Sequence, residues 1–290
     1  MLKLSIIIVN YNSAHFLKNC LLSLRHSTLP AKEYEIIIVD NNSKDNSLAD
    51  AISIKDLKLT IVKNDQNIGF AKANNIAIKR SIGEYVLLLN PDTILEKDTL
   101  NIMVQYMEEN KKAAVASCKI LLPNGDIDDA SHRGFPTPWN AFCHFVGFGK
   151  IFPQSNFFNG YHLGYEDLDK IHEIDSCVGA FMLIRRHVGE ELSWLDEDYF
   201  WYGEDLDFCY RVKQKGYKVM YVPLTKIIHY KGISSGIKNH SKELSTADTK
   251  TRQLATKARF AVMRTFYKKH YQHKYPSLLT TLVLSGIRLK

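Results

Sequence analysis

Four short apolar runs, each followed by a helix-like segment, constrain this chain more than any other feature. Leu4 to Val9, Glu35 to Val39, Leu59 to Val62 and Tyr85 to Leu89 have strand length and are mostly β-branched or leucine. They lack the polar alternation of a strand with one wet face, so both faces must be covered. Between them the spacing turns helical. Ser13 is a candidate N-cap for a helix burying Phe16, Leu17, Cys20, Leu21 and Leu24; a polar helix runs to about Ile52; and Phe70 to Arg80 turns Ala73, Ile76 and Ala77 inward. A helix from Asp98 to Asn110 and a fifth strand from Ala113 to Cys118 complete the pattern. The fold class expected is α/β, a Rossmann-like and mostly parallel sheet with helices on both faces and right-handed connections.

Sheets of this kind bind ligands beyond the carboxyl ends of their strands. Those ends carry Asn10-Tyr11-Asn12, Asp40-Asn41-Asn42, Asn64 to Gly69 and Asn90-Pro91-Asp92, so four strands bring polar groups to one rim. The second half is less regular. Pro123 to His172 reads as loop-dominated, Ile174 to Arg185 as strand-like, Asp196 to Gly216 as an acidic turn leading into an amphipathic helix that Gly216 stops, and Lys218 to Val222 as a short strand. We divide the chain into a domain over 1–235, with a regular half at 1–120 and a less regular half at 121–235, and a basic helical extension over 236–290.

Charge supports that division. No acidic residue follows Asp248, while ten Lys and Arg do; with the whole chain at +7, the part before the tail stands at −3. A mildly acidic body argues against a nucleic-acid-binding surface. The tail intersperses Phe260, Val262, Met263, Phe266 and Tyr267 with its cations, and Leu278 to Leu284 follows, a pattern suited to lying on an anionic membrane surface, with a solvated or oligomer-contacting helix as the alternative. No run reaches the roughly 18 apolar residues of a membrane span, and the N-terminal run lacks a small-residue cleavage site. Five dispersed cysteines with no Cys-x-x-Cys pair indicate a reducing, cytoplasmic setting.

Asp92 follows an apolar strand and a proline; a carboxylate there can hold a hard divalent cation whose other positions bind diphosphate oxygens, or cap the next helix. Asp40 can accept hydrogen bonds from a base or ribose, or serve a turn. Gly69 would let backbone approach a ligand at a helix N-terminus that favours anions, with Asn67 before it and Lys72 and Asn74 just inside. Glu204, Asp205 and Asp207 crowd a helix start, where one carboxylate suits general-base work and plain capping is the alternative. His229 follows a strand and could complete a metal site with Asp92, although a lone histidine is more often structural. Trp139, His144 and Tyr161 are candidates for an acceptor pocket.

Together these segments resemble the family-two inverting glycosyltransferases of GT-A fold, especially the bacterial rhamnosyltransferase-like branch. Ser5 to Asn12 is similar to the family's opening strand, Ile38 to Ser43 to its nucleotide-binding strand and Asn67 to Ala71 to its next loop. Leu88 to Asp92 sits where the family carries Asp-x-Asp, with Asn90 at the first position; Val178 to Phe181 resembles the acceptor-side strand and Gly203 to Asp207 the catalytic-base motif. The resemblance implies that Asn10, Tyr11, Asp40, Asn67, Gly69, Lys72, Asn74, Asn90 and Asp92 hold the donor. It implies that Asp92 and His229 place Mg²⁺ or Mn²⁺ on the diphosphate, that Asp205, with Glu204 second, is the base, and that Trp139, Gly179, Ala180 and Trp201 face the acceptor. The donor would be a dTDP- or UDP-sugar, the acceptor a saccharide or polyprenyl-linked saccharide in cell-surface polysaccharide synthesis, and the enzyme peripheral on the inner face of the cell membrane. The competing readings are a non-catalytic nucleotide-sugar-binding module, a nucleotidyltransferase and a dinucleotide-dependent oxidoreductase. The last would need Gly-x-Gly-x-x-Gly where Asn10 to Ser13 stand.

Overall fold

The computed structural model describes residues 2–237 and 245–288; Lys290, counted in the basic tail, lies outside them. The apolar runs form β1 (Leu4–Asn10), β2 (Tyr34–Asp40), β3 (Leu59–Lys63) and β4 (Tyr85–Leu89), parallel in the order β3-β2-β1-β4. Alternate residues face opposite ways. Leu4, Ile6, Ile8, Ile36 and Ile38 point into a core shared with α1 (Phe16–Arg25), α2 (Ser47–Ile52) and α4 (Thr99–Glu109). Ile7, Val9, Ile37, Val39, Val86 and Leu88 point into a second core shared with α3 (Phe70–Ile78), α7 (Arg186–Glu191) and α8 (Glu204–Gln214). β1, β2 and β4 are dry on both faces over most of their length, which is why those runs carry no polar alternation, while the edge strand β3 leaves Thr60 and Lys63 exposed.

Beyond β4 the sheet departs from the parallel expectation. β8 (Phe181–Arg185) pairs antiparallel with both β4 and β6 (Ala113–Leu121), and β9 (Lys218–His229) runs parallel to β6. β5 (Thr93–Leu95) and β7 (His172–Ile174) add antiparallel to β9, so the nine-stranded sheet is parallel in one half and mixed in the other. The strand-like stretch from Ile174 divides, because residues 175–180 leave the ladder between β7 and β8. β9 is twelve residues long instead of ending at Val222, its pairing with β6 shifting register past Pro223. The candidate N-cap Ser13 does not cap α1; His15 holds that position and the Ser13 hydroxyl donates to Asn10 Oδ1.

The loop-dominated segment holds α5 (Pro138–Val146), capped by the Thr137 side chain, and the short α6 (Phe148–Ile151). At the C-terminus, α9 (Thr249–His270) and α10 (Ser277–Arg288) follow. Phe266, Tyr267 and Tyr271 pack on Leu206 and Tyr210 of α8. Phe266 and Tyr267 are therefore covered by protein, which removes them from the membrane-facing set expected of the tail; Val262 stands against Gly203.

Candidate active site

The carboxyl ends of β1 and β2 build a hydrogen-bonded rim. Asn10 donates from Nδ2 to Asp40 Oδ1 at 2.7 Å, to Ser47 Oγ at 2.9 Å and to Ser43 Oγ at 3.1 Å. The second Asp40 oxygen accepts the Ser43 N–H at 3.1 Å. Asn41 continues the rim, donating to Asn67 Oδ1 at 3.3 Å and to the Gly69 carbonyl at 3.2 Å and accepting from Asn64 at 2.8 Å. Asn12 and Asn42 stand at φ of 48° and 64°, a left-handed conformation that asparagine tolerates better than most residues. Tyr11 meets Trp201 edge-on at 6.0 Å, so Trp201, expected on the acceptor side, stands against a residue expected to hold the donor.

Gly69 is needed for a different reason than expected. It sits at φ 90°, and a Cβ there would come within 2.6 Å of the Phe200 carbonyl oxygen. That oxygen accepts the Phe70 N–H at 2.8 Å, so protein fills the space and takes the first amide of α3. Two further expectations for α3 change. Lys72 is exposed on its outer side, and Asn74 turns inward to donate to the Phe70 carbonyl at 2.9 Å, leaving its Oδ1 buried without a partner.

At the end of β4 the chain turns through Asn90 and Asp92. His229, the last residue of β9, brings its Nε2 to 3.4 Å from Asp92 Oδ1 and 3.3 Å from Asn90 Nδ2. Its Nδ1 is 2.9 Å from Asp128 Oδ2, and the other Asp128 oxygen pairs with Lys231. Burial alone would lower the His229 pKa, but the flanking Asp92 and Asp128 carboxylates outweigh it and raise it to about 9. The same contacts hold the Asp128 carboxyl well below the usual range despite its burial. Two ligands at right angles on a small divalent cation lie about 3 Å apart, close to the Asp92–His229 spacing, and a carboxylate behind the imidazole is the usual support for a metal-bound histidine. No group of three or more His, Cys, Asp or Glu side chains among the described residues is placed to hold one metal ion. A cation here would have two protein ligands and leave its other positions to phosphate and water, as Mg²⁺ sites commonly do.

One backbone link joins this corner to the acidic helix start. The Asn90 N–H donates to the Ala180 carbonyl at 3.1 Å, and the Gly179 N–H donates to Asp205 Oδ2 at 3.2 Å. Asp205 Oδ1 accepts from Arg133 at 3.2 Å and from the Leu206 N–H at 2.6 Å. Glu204, beside it, is buried with Oε2 unpartnered, and burial together with the Asp205 charge raises its pKa to about 8. Asp207 faces elsewhere and bridges Arg211 at 2.7 Å and His270 of α9 at 2.7 Å. Trp139 is not drawn to this corner; its indole N–H donates to the Phe157 carbonyl at 2.8 Å, and it packs on Phe142 and Phe158.

Asp128 and Arg133 were not foreseen. Both come from the irregular stretch after β6, where no periodicity announces an inward side chain; the one available signal was three aspartates, Asp126, Asp128 and Asp129, after Asn124-Gly125.

A family model described as glycosyl transferase family 2 matches residues 5–192. The rhamnosyltransferase WbbL of Escherichia coli (strain K12) is 30% identical over 234 residues, 78% of this chain and 82% of that protein. An N-acetylglucosaminyl-diphospho-decaprenol L-rhamnosyltransferase of Mycobacterium tuberculosis (strain ATCC 25618 / H37Rv) is 23% identical over 245 residues, 80% of this chain and 78% of that one. Among solved structures, the mannosyltransferase PcManGT of Pyrobaculum calidifontis, in complex with GDP-Man and Mn²⁺, superposes with a TM-score of 0.60 at 17% identity over 99% of this chain and 69% of that chain.

Proposed function

The chain belongs to glycosyl transferase family 2 and is a glycosyltransferase; from that premise we propose that it carries a sugar from a nucleoside diphosphate to a hydroxyl of a lipid-linked saccharide, with inversion at the anomeric carbon. The observation that supports the reading is the short path of contacts from Asp92 and His229 through Asn90, Ala180 and Gly179 to Asp205, which brings the Asp92–His229 pair and the Asp205 carboxylate to one strand end. Asn10, Asp40, Asn41 and Asn67 form the rim that receives the nucleoside, with Tyr11 and Trp201 beside it. Asp92 and His229 would hold Mg²⁺ or Mn²⁺, which would offset charge on the departing diphosphate.

Asp205 takes the proton from the acceptor hydroxyl as that oxygen attacks, and Arg133 with the Gly179 amide fixes the direction of the carboxylate. The second reading of the base is Glu204, favoured by its unpartnered oxygen and a pKa near working pH. No helix among the described residues is long and apolar enough to cross a membrane. The exposed cations of α9, including Lys250, Lys257, Arg264 and Lys268, suit the anionic leaflet where a polyprenyl-linked acceptor resides. A donor screen tests the reading: dTDP-L-rhamnose first and UDP-sugars next, with Mg²⁺ or Mn²⁺ and a polyprenyl-diphosphate saccharide. Release of nucleoside diphosphate that needs both acceptor and metal is expected. Nucleotide binding without turnover on any donor would favour the non-catalytic module.

A further inference from the structure

Segment 139–157 wears its apolar residues outward. It holds seven of the seventeen large apolar side chains exposed among the described residues, in nineteen positions. On α5, Trp139, Phe142 and Val146 recur at helical spacing and form a stripe facing solvent, the reverse of a helix packed on a core. Ile151, the last residue of α6 and 65% exposed, and Phe157, at 59%, are exposed further along the segment. Trp139 lies 5.8 Å from Phe142 and 4.9 Å from Phe157, so these three rings form one patch. Clustered exposure on this scale marks an interaction site.

Charge identifies the occupant. Residues 135–165 contain no Asp or Glu, and Lys150, exposed on α6, is their single Lys or Arg. Phe135, just before α5, packs on the same cluster as Val283 and Leu284 of α10, which anchors the segment beside the cationic C-terminal helices. Two copies joined through this face would bring those cations together, whereas an anionic bilayer neutralises them while its interface accepts Trp and Phe. A cavity of about 360 Å³ opens alongside, lined by Gly149 and Lys150 from α6 and by Asp129 and His132, next in the chain to the Asp128 that holds His229.

We propose that the outward face of α5 and α6 enters the headgroup region of an anionic bilayer and holds this cavity open to the lipid surface. The role of the cavity as the entry for a lipid-linked acceptor rests on the transferase reading; the affinity for a bilayer does not, and it is measured without turnover. The full chain is sedimented with mixed phosphatidylcholine–phosphatidylglycerol vesicles at low salt and at about 0.5 M salt, where long-range attraction is screened. Wild type stays bound at high salt, and the combined Phe142→Ser, Ile151→Ser and Phe157→Ser variant loses at least about tenfold in affinity while keeping nucleotide binding. Hydrogen exchange on the unaltered chain gives a second reading, with amides 139–157 protected when vesicles are added. Equal binding by the variant, complete release of wild type at high salt, or no protection overturns the proposal. So does a wild-type dimer that the same substitutions dissolve, which would assign the face to a second copy.

Discussion

The rim proposed to receive the donor and the corner proposed to carry the chemistry are built on opposite principles. At the rim, Asn10 and Asp40 meet partners on both polar atoms of each side chain before any ligand arrives. At the corner, Glu204 keeps an oxygen buried and unpartnered and Arg133 a nitrogen. An orphaned buried polar atom costs about 1–3 kcal/mol, so the corner holds unfavourable energy that the rim does not. The contrast fits the binding role proposed for the rim and the reacting role proposed for the corner. A rim whose hydrogen bonds are satisfied presents a fixed shape, while a corner with unmet polar groups gains most when substrate fills it.

Substitutions at the two regions should therefore fail differently. The largest loss is expected from Asp205→Asn, which removes the proposed base but keeps the shape; kcat should drop by about 10³-fold with donor KM little changed. Near-normal turnover would move the role to Glu204. Next, Glu204→Gln should reveal the cost stored in the corner. The Glu204 pKa lies about 8 when folded, above its ordinary 4.5, so its contribution to stability is fully present below about 4.5 and is lost as pH rises to about 8. The isosteric amide removes that dependence. Denaturant midpoints should show the variant more stable than wild type at pH 8 by on the order of 2–3 kcal/mol, and the gain shrinking towards pH 5; an equal difference at both pH values would refute the stored cost. The smallest effect belongs to the rim. Asp40→Asn should raise donor KM about tenfold at unchanged kcat, read from donor titrations at saturating acceptor. A fall in kcat instead would erase the distinction between the regions.

Sequence and structure agree best where burial is symmetric. The runs that became β1, β2 and β4 were legible because both their faces are dry, the edge strand β3 showed through its apolar run despite exposed Thr60 and Lys63, and the polar ends of all four fell where the strand order required. Legibility failed where one local signal masked a tertiary one. Pro223 suggested a strand end, yet β9 continues through it to deliver His229. Gly69 suggested room for a ligand, yet its missing Cβ admits the Phe200 backbone. Asp128, fully buried, and Arg133 carried no periodic mark because irregular backbone places them. The outward stripe of α5 was hidden for a related reason. Helical spacing of apolar residues tells which ones share a face, and only the fold tells where that face points.

The docking of the C-terminal helices has a consequence for biosynthesis. Leu206 and Tyr210 of the helix that starts at Glu204 are covered by Phe266, Tyr267 and Tyr271, and Asp207 gains its second partner only from His270. A chain leaving the ribosome from its N-terminus has the rim side chains Asn10, Asp40, Asn41 and Asn67 within its first 70 residues, but the outer side of α8 stays wet until some sixty residues beyond that helix have emerged. Nascent chains stalled in that interval would display a patch of leucine and tyrosine that chaperones recognise, and release of the final helices closes it.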